Sequence, residues 1–420
     1  MKKLIGTVAV AALLASAAFA ELSISGGALQ LWSPVKYNGG DVVTASECPW
    51  GGGRSASIGF TWVSEDEKAG SNFAFIYNQF QNDDDSTRAA PDGNRLIWVK
   101  PWDFLKLTIG HWDGINDIRH ANTASEDWIR PGTDLGNLYA ENEHTGAMIE
   151  LFPVDGLTVR LALPFGDYGD YATNIGYLSY GMFEALHAEV EYTITDLLGI
   201  KLAWLGGKDR HNTLSPGLKG LPYKYDSSNF YNVGEIDVLL QLLAVENLQL
   251  DVGARINLLN AGKLKDEESV WDWSDDESNY VGGLASSLIG LKAGYAINDK
   301  FTVKADFAVR TYKKVGDYKQ KPDFAFGVGV GVGLTDSLSL DADFRAKLNG
   351  EATNNGEKIS DKETDPTFSF LVGLNYVCST NASIGIGFQG KTNGGAIGGN
   401  IKDNGDNFGF AVPVRVNVSF

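Results

Sequence analysis

Residues 248–258 read Leu-Gln-Leu-Asp-Val-Gly-Ala-Arg-Ile-Asn-Leu, and every second residue is apolar. Leu248, Leu250, Val252, Ala254, Ile256 and Leu258 share one face, and Gln249, Asp251, Gly253, Arg255 and Asn257 share the other. A period of two held this long belongs to a strand with one apolar and one polar face. The pattern recurs over Phe301–Arg310, Phe324–Leu334 and Leu338–Leu348, and again over Leu157–Phe165 and Leu186–Tyr192. In Phe324–Leu334 the second face is Ala325, Gly327, Gly329, Gly331 and Gly333.

Two kinds of connection alternate between these runs. Short ones, rich in Asn, Asp, Gly and Ser, sit at Pro153–Gly156, Thr195–Gly199, Glu246–Asn247, Asn298–Lys300, Thr335–Ser337 and Ser379–Asn381. Long polar ones sit near 33–53, 82–93, 113–143, 166–178, 208–230, 259–281, 314–323, 350–365 and 392–407. The alternation predicts an all-β fold, a transmembrane antiparallel up-and-down β-barrel with turns at the periplasmic end and loops outside, of about 18 strands with 16 as the alternative. Residues 21–420 then form one domain. Trp62, Trp102, Phe104, Phe152, Tyr192, Phe301 and Tyr376 fall at turn ends of strands. Trp32, Trp112, Phe165, Trp204, Phe324, Phe368 and Phe408 fall at loop ends, as two interfacial girdles would. A soluble sandwich would bury its apolar faces in one thin core, which so many one-sided strands of about ten residues fit poorly.

The N-terminus is consistent with export. Lys2 and Lys3, an apolar run Leu4–Ala15 and Ala18-Phe19-Ala20 make residues 1–20 a signal peptide, cleaved after Ala20. Beyond it no apolar run reaches the roughly 20 residues of a spanning helix; the nearest is Val238–Val245, broken by Gln241. The net charge of −18 argues against a nucleic-acid partner. Cys48, in the first loop, and Cys378, at the foot of a strand, should be two free thiols at opposite ends.

The chain ends Phe410, Val412, Val414, Val416, Val418, Phe420 in alternation, with Phe420 terminal. This resembles the last strand of Gram-negative outer-membrane proteins, whose final aromatic is read by the barrel-assembly machinery. With its signal peptide, its alternating turns and loops and no plug domain, the chain over residues 21–420 resembles a porin. The resemblance implies a bacterial outer-membrane location, outer-membrane lipid around the wall, and homo-oligomers as one assembly. A barrel this wide cannot be filled by side chains and leaves an aqueous channel. The expected function is passive diffusion of small hydrophilic solutes and ions, with no chemistry and no cofactor or metal. Two alternatives stay open. One is a channel specific for sugars or organic anions, its ligand guided by loop aromatics such as Trp128 or Trp204. The other is a barrel that anchors a surface adhesin or antigen.

Charges on the polar faces point to a channel lining. Asp251/Arg255, Asp306/Arg310 and Asp341/Arg345 repeat Asp-x-x-x-Arg, with Arg about 13 Å further along each strand. Arg160, Lys304, Lys347 and Arg415 extend the basic set, and Asp343 the acidic one. Loop 113–143 carries Asp113, Asp117, Glu126, Asp127, Asp134, Glu141 and Glu143 against Arg119 and Arg130. In general porins one long loop folds inward and opposes a basic wall, so the resemblance implies a transverse field between this loop and the arginines. Gly253, facing the lumen, is expected to tolerate Arg far better than its outward neighbour Val252. His187, Glu189 and Glu191 share a polar face, read as solvated, and the acidic runs Asp83–Asp85, Asp266–Glu268 and Asp275–Glu277 are read as solvated loop tips.

Overall fold

A computed structural model describes residues 20–37, 40–47, 56–77, 89–112, 118–139, 144–164, 186–205, 235–258, 286–314, 319–354, 356–358, 365–393 and 408–419. Eighteen antiparallel strands close into one barrel. In chain order they are β1 Ala20–Tyr37, β2 Ala56–Ser64, β3 Ala69–Tyr77, β4 Ala89–Trp102, β5 Leu105–Trp112 and β6 His144–Leu151. Next come β7 Leu157–Pro164, β8 His187–Ile194, β9 Leu198–Leu205, β10 Glu235–Leu242, β11 Leu248–Asn257 and β12 Ser286–Asn298. The last six are β13 Phe301–Tyr312, β14 Asp323–Gly333, β15 Leu338–Leu348, β16 Thr367–Ser379, β17 Ala382–Thr392 and β18 Phe408–Ser419. Each strand pairs with its neighbours in sequence, and β18 closes the ring on β1, from Gly27↔Ser419 to Tyr37↔Phe410. Closure satisfies the backbone without an edge, which a lipid surround requires.

The first long connection differs from the expected 33–53. β1 runs to Tyr37, and a short strand Val42–Glu47 turns back along its Leu31–Tyr37 half, while β2 pairs with Ala20–Gly27. The β-branched run Val42, Val43, Thr44 favours that extension. Cys48 lies outside the described residues; Cys378 is a free, exposed thiol at the foot of β16.

Tight turns are built from residues that accept a left-handed backbone. Glu67, Asp196 and Asn247 have φ of 55°, 54° and 62°, and Gly156 has 78°. A Cβ on Gly156 would meet the Thr193 carbonyl oxygen at 2.5 Å, so that turn needs glycine twice over.

The strand alternation sorts into two surfaces. Val252, Ile289, Phe307, Val328, Phe344, Val372 and Ile386 are exposed on the outside, while Asp251, Asp306, Asp343 and Arg345 are buried on the inside. Trp102, Phe104, Tyr192 and Tyr376 are exposed at the turn end, and Trp32, Phe324, Phe368 and Phe408 at the loop end. Trp112 is a correction: it points inward and is fully buried against Leu96, Met148 and Ala162. Phe165 lies outside the described residues. Three further buried apolar clusters among the described residues form where Ile118–Tyr139 meets the inner wall.

Candidate functional site

The described part of that loop, Ile118–Tyr139, lies inside the barrel along the wall, and its packing contacts run from β9 round to β18 and β1. Ile118 and Tyr139 pack on Ala203, Leu205 and Leu239 of β9 and β10. Leu135 and Leu138 pack on Leu288, Ala308 and Ala325 of β12, β13 and β14. Trp128 and Ile129 pack on Leu31, Leu371 and Ala411 of β1, β16 and β18. Where the loop sinks deepest the wall carries no side chain. A Cβ on Gly253 would lie 2.7 Å from the Leu138 Cβ, and one on Gly290 would lie 2.9 Å from the Leu138 Cδ2. The expectation that Gly253 tolerates Arg is therefore corrected: the site faces the lumen but is filled by the loop.

Polar contacts fasten the loop between these seats. The Asn122 N–H donates to Asp306 Oδ2 (2.9 Å) and the Ser125 N–H to Asp343 Oδ2 (2.6 Å). Gln389 accepts from the Ile129 N–H and donates to the Ile129 carbonyl, each at 3.0 Å. Thr133 and Ser369 hydroxyls meet at 3.0 Å. Arg310 donates to the Leu135 carbonyl. The Leu135 N–H lies 2.7 Å from His120 Nε2, and the His120 Nδ1 lies 3.3 Å from Asp306.

Arg345 is the centre of this attachment. Its guanidinium is wholly buried, donates to both Asp306 oxygens (2.8 and 3.0 Å) and to Thr123 Oγ1 (3.0 Å), and lies 3.6 Å from Glu126. Asp306 and Arg345 sit on strands that are not neighbours. The register runs Asp306↔Gly327↔Arg345, so the pair forms across β14, over a residue with no side chain to obstruct it. Glu126 also lies 3.7 Å from Arg130, yet neither of its buried carboxylate oxygens has a hydrogen-bond partner. Burial, reinforced by Asp134, pushes its pKa up to about 7 against the pull of Arg345, Arg119 and Arg130. For Asp134 burial acts in the same upward sense, but Arg119 at 2.7 Å, His120 and the Gly136 N–H outweigh it and hold the carboxyl below its ordinary range.

No family model matches the sequence, and no curated protein matches it. The backbone is similar to solved structures. OpdO (OccK3) of Pseudomonas aeruginosa aligns with a TM-score of 0.50 at 13% identity, over 95% of this chain and 96% of that one. The chain has the fold of an outer-membrane porin. A porin aligns at 11% identity over 95% of this chain and 100% of its own, with a TM-score of 0.44. OmpT, an outer membrane protein of Vibrio cholerae, aligns at 12% identity over 96% and 98%, with a TM-score of 0.47.

Within this porin barrel the expected lining residues divide by their surroundings. Arg345 and Arg310 hold the loop, as described. Arg255 is paired within the wall, 2.7 Å from Glu235 and 3.2 Å from Asp237. Arg160 lies between its register partners Glu150 (3.1 Å) and Glu189, with Glu191 also at 3.1 Å. Asp251 accepts from Gln241 (3.1 Å) and Gln249 (2.9 Å). At Arg310 and Arg345 the loop thus lies against the wall instead of facing it across water: Arg310 bonds the Leu135 carbonyl and Arg345 lies 3.6 Å from Glu126. Charges beside the loop are more open. Lys304 and Asp127 are exposed. Asp341, bonded to Asn375 at 2.8 Å, lies within electrostatic reach of Lys304, Asp127 and Arg415. Lys347 is half-buried near Arg310, Asp134 and Asp323.

Trp128 is 1% exposed and cannot guide a ligand, and Trp204 alternates with inward Ala203 and so faces outward. His187 and Glu189 are buried, not solvated as expected, and stand 3.6 Å apart. Asp113, Asp117, Glu141, Glu143, Phe420 and the three acidic runs lie outside the described residues. Sequence reading missed His120, Thr123, Ser125 and Gln389, which have no motif. It also missed Glu150, Glu235 and Asp237, whose signal was their place in register opposite an arginine.

Proposed function

We propose that the protein is an outer-membrane diffusion channel for small hydrophilic solutes and ions, narrowed on one side by loop 113–143. The observation that carries this is the loop's course along the wall. The contacts described for Ile118–Tyr139 lie on β9 to β18 and β1, away from β2 to β7, in a barrel too wide for side chains to fill. Lys304, Asp127, Asp341 and Arg415 supply charge of both signs beside the loop, which supports passage of mixed small solutes over a single bound class. Residues 1–20 act as the export signal and Phe420 as the assembly signal in this reading. The outward rings of Tyr37, Phe410, Phe388 and Phe370 meet in tilted contacts in sequence across β1, β18, β17 and β16, a face suited to lipid or to a second copy of the chain.

Planar-bilayer recording and liposome swelling test the proposal. Ohmic steps with sugar uptake graded by size support diffusion. Current that saturates and is blocked by one solute favours a specific channel, and a sealed barrel leaves only an anchoring role.

A further inference from the structure

Trp128 follows the short 3-10 turn Ala124–Asp127 and is among the largest fully buried side chains in the protein. Its indole rests in a hollow floored by Gly373 of β16 and by Gly385 and Gly387 of β17. A Cβ added to these glycines would lie 2.8, 3.0 and 3.0 Å from ring carbons Cζ2, Cη2 and Cζ3. At such distances the ring would have to move. Leu371, Leu31 and Ala411 close the sides of the hollow. Gln389, itself 1% exposed, grips the Ile129 peptide on both its N–H and its carbonyl, directly beyond the ring. On the other side of Trp128, Asp127 is exposed.

We infer that Trp128 is the positioning residue that fixes the channel's width: seated on the three glycines, it holds the Ala124–Asp127 turn to one side and sets where Asp127 projects. The inference rests on the diffusion-channel reading. The polar ties of the loop are buried or part-buried too, but each holds a single backbone or side-chain group at one point. The indole is one large apolar surface, and when it is driven from its hollow that whole surface must face water, which no single tie offsets. The fit is also steric. A hollow made by three absent side chains accepts a large flat ring and leaves a smaller residue loose.

The test uses the full-length protein refolded into bilayers, with single-channel conductance and the exclusion of graded polyethylene glycols as readouts. Trp128→Ala removes the pin, and Gly387→Leu fills its seat while leaving Trp128 intact. Trp128→Phe keeps an aromatic ring, and Gly333→Ala is a lumen glycine whose added Cβ meets only ordinary contacts, at 3.5 Å. Folding of each variant is checked by the heat-dependent gel shift of closed barrels. Trp128→Ala and Gly387→Leu should both shift polymer exclusion to larger sizes and raise conductance. Trp128→Phe should restore most of the wild-type cut-off, and Gly333→Ala should match wild type. A folded Trp128→Ala channel with wild-type conductance and cut-off overturns the inference alone. A wild-type barrel that passes no current overturns both it and the diffusion reading.

Discussion

Replacing Arg345 by Met should be among the most damaging single changes in the lumen. The guanidinium and its partner Asp306 are both fully buried. Met fills similar length but leaves Asp306 with only the Asn122 N–H at 2.9 Å and His120 at 3.3 Å. It also takes from Glu126 the cation 3.6 Å away. Breaking a buried pair from one side costs about 3–5 kcal/mol, because the stranded charge keeps its desolvation penalty. The double change Arg345→Met with Asp306→Asn removes that stranded charge, and its cost should fall well below the single change. Urea unfolding in detergent micelles, monitored by tryptophan fluorescence, gives each loss, and the double-mutant cycle gives the coupling. A loss below ~1 kcal/mol for the single change, the range of exposed pairs, would refute the argument. It would mean that water reaches the guanidinium and that the loop does not cover it.

Four further outcomes are expected. Val252→Arg, on the lipid face, should cost roughly 2–4 kcal/mol near the midplane; Gly253→Arg should also impair folding by its clash with Leu138, and Leu138→Gly should relieve only the latter, as read by gel shift. Glu126 binds its proton more tightly in the docked loop than in an unfolded chain, so its contribution is full below pH 4.5 and is lost as pH rises through about 7. Bilayer recordings should therefore show a quieter channel at pH 5 than at pH 8, with Glu126→Gln quiet at both; Asp134, held low, acts only below that window. Under a salt gradient, Lys304→Gln should shift the reversal potential toward cation preference and Asp127→Asn toward anion preference. With Cys48 replaced by Ser, a bulky maleimide should label Cys378 only after the outer membrane is permeabilised; labelling of intact cells would invert the barrel.

The faces of the alternating runs in β11, β13, β14 and β15 were legible from the sequence, because a pleated strand in a one-layer wall alternates and lipid demands an apolar outer row. Turns, closure and strand number followed from the same periodicity, since turn residues are local signals. The resemblance implied that loop 113–143 turns inward, but where Ile118–Tyr139 seats on the wall was not legible. Its seats on Gly253, Gly290, Gly373, Gly385 and Gly387 lie on strands more than a hundred residues away in sequence. A glycine on a polar face reads alike whether water or an indole lies above it. The Asp306–Arg345 pair shows the same limit. Along each strand Asp-x-x-x-Arg suggested separate tiers of charge, but the ring brings Asp306 and Arg345 to one level on either side of Gly327. Local chemistry determined which groups face inward; only the closed wall decided which of them meet, because register between distant strands is a property of the ring and of no single strand.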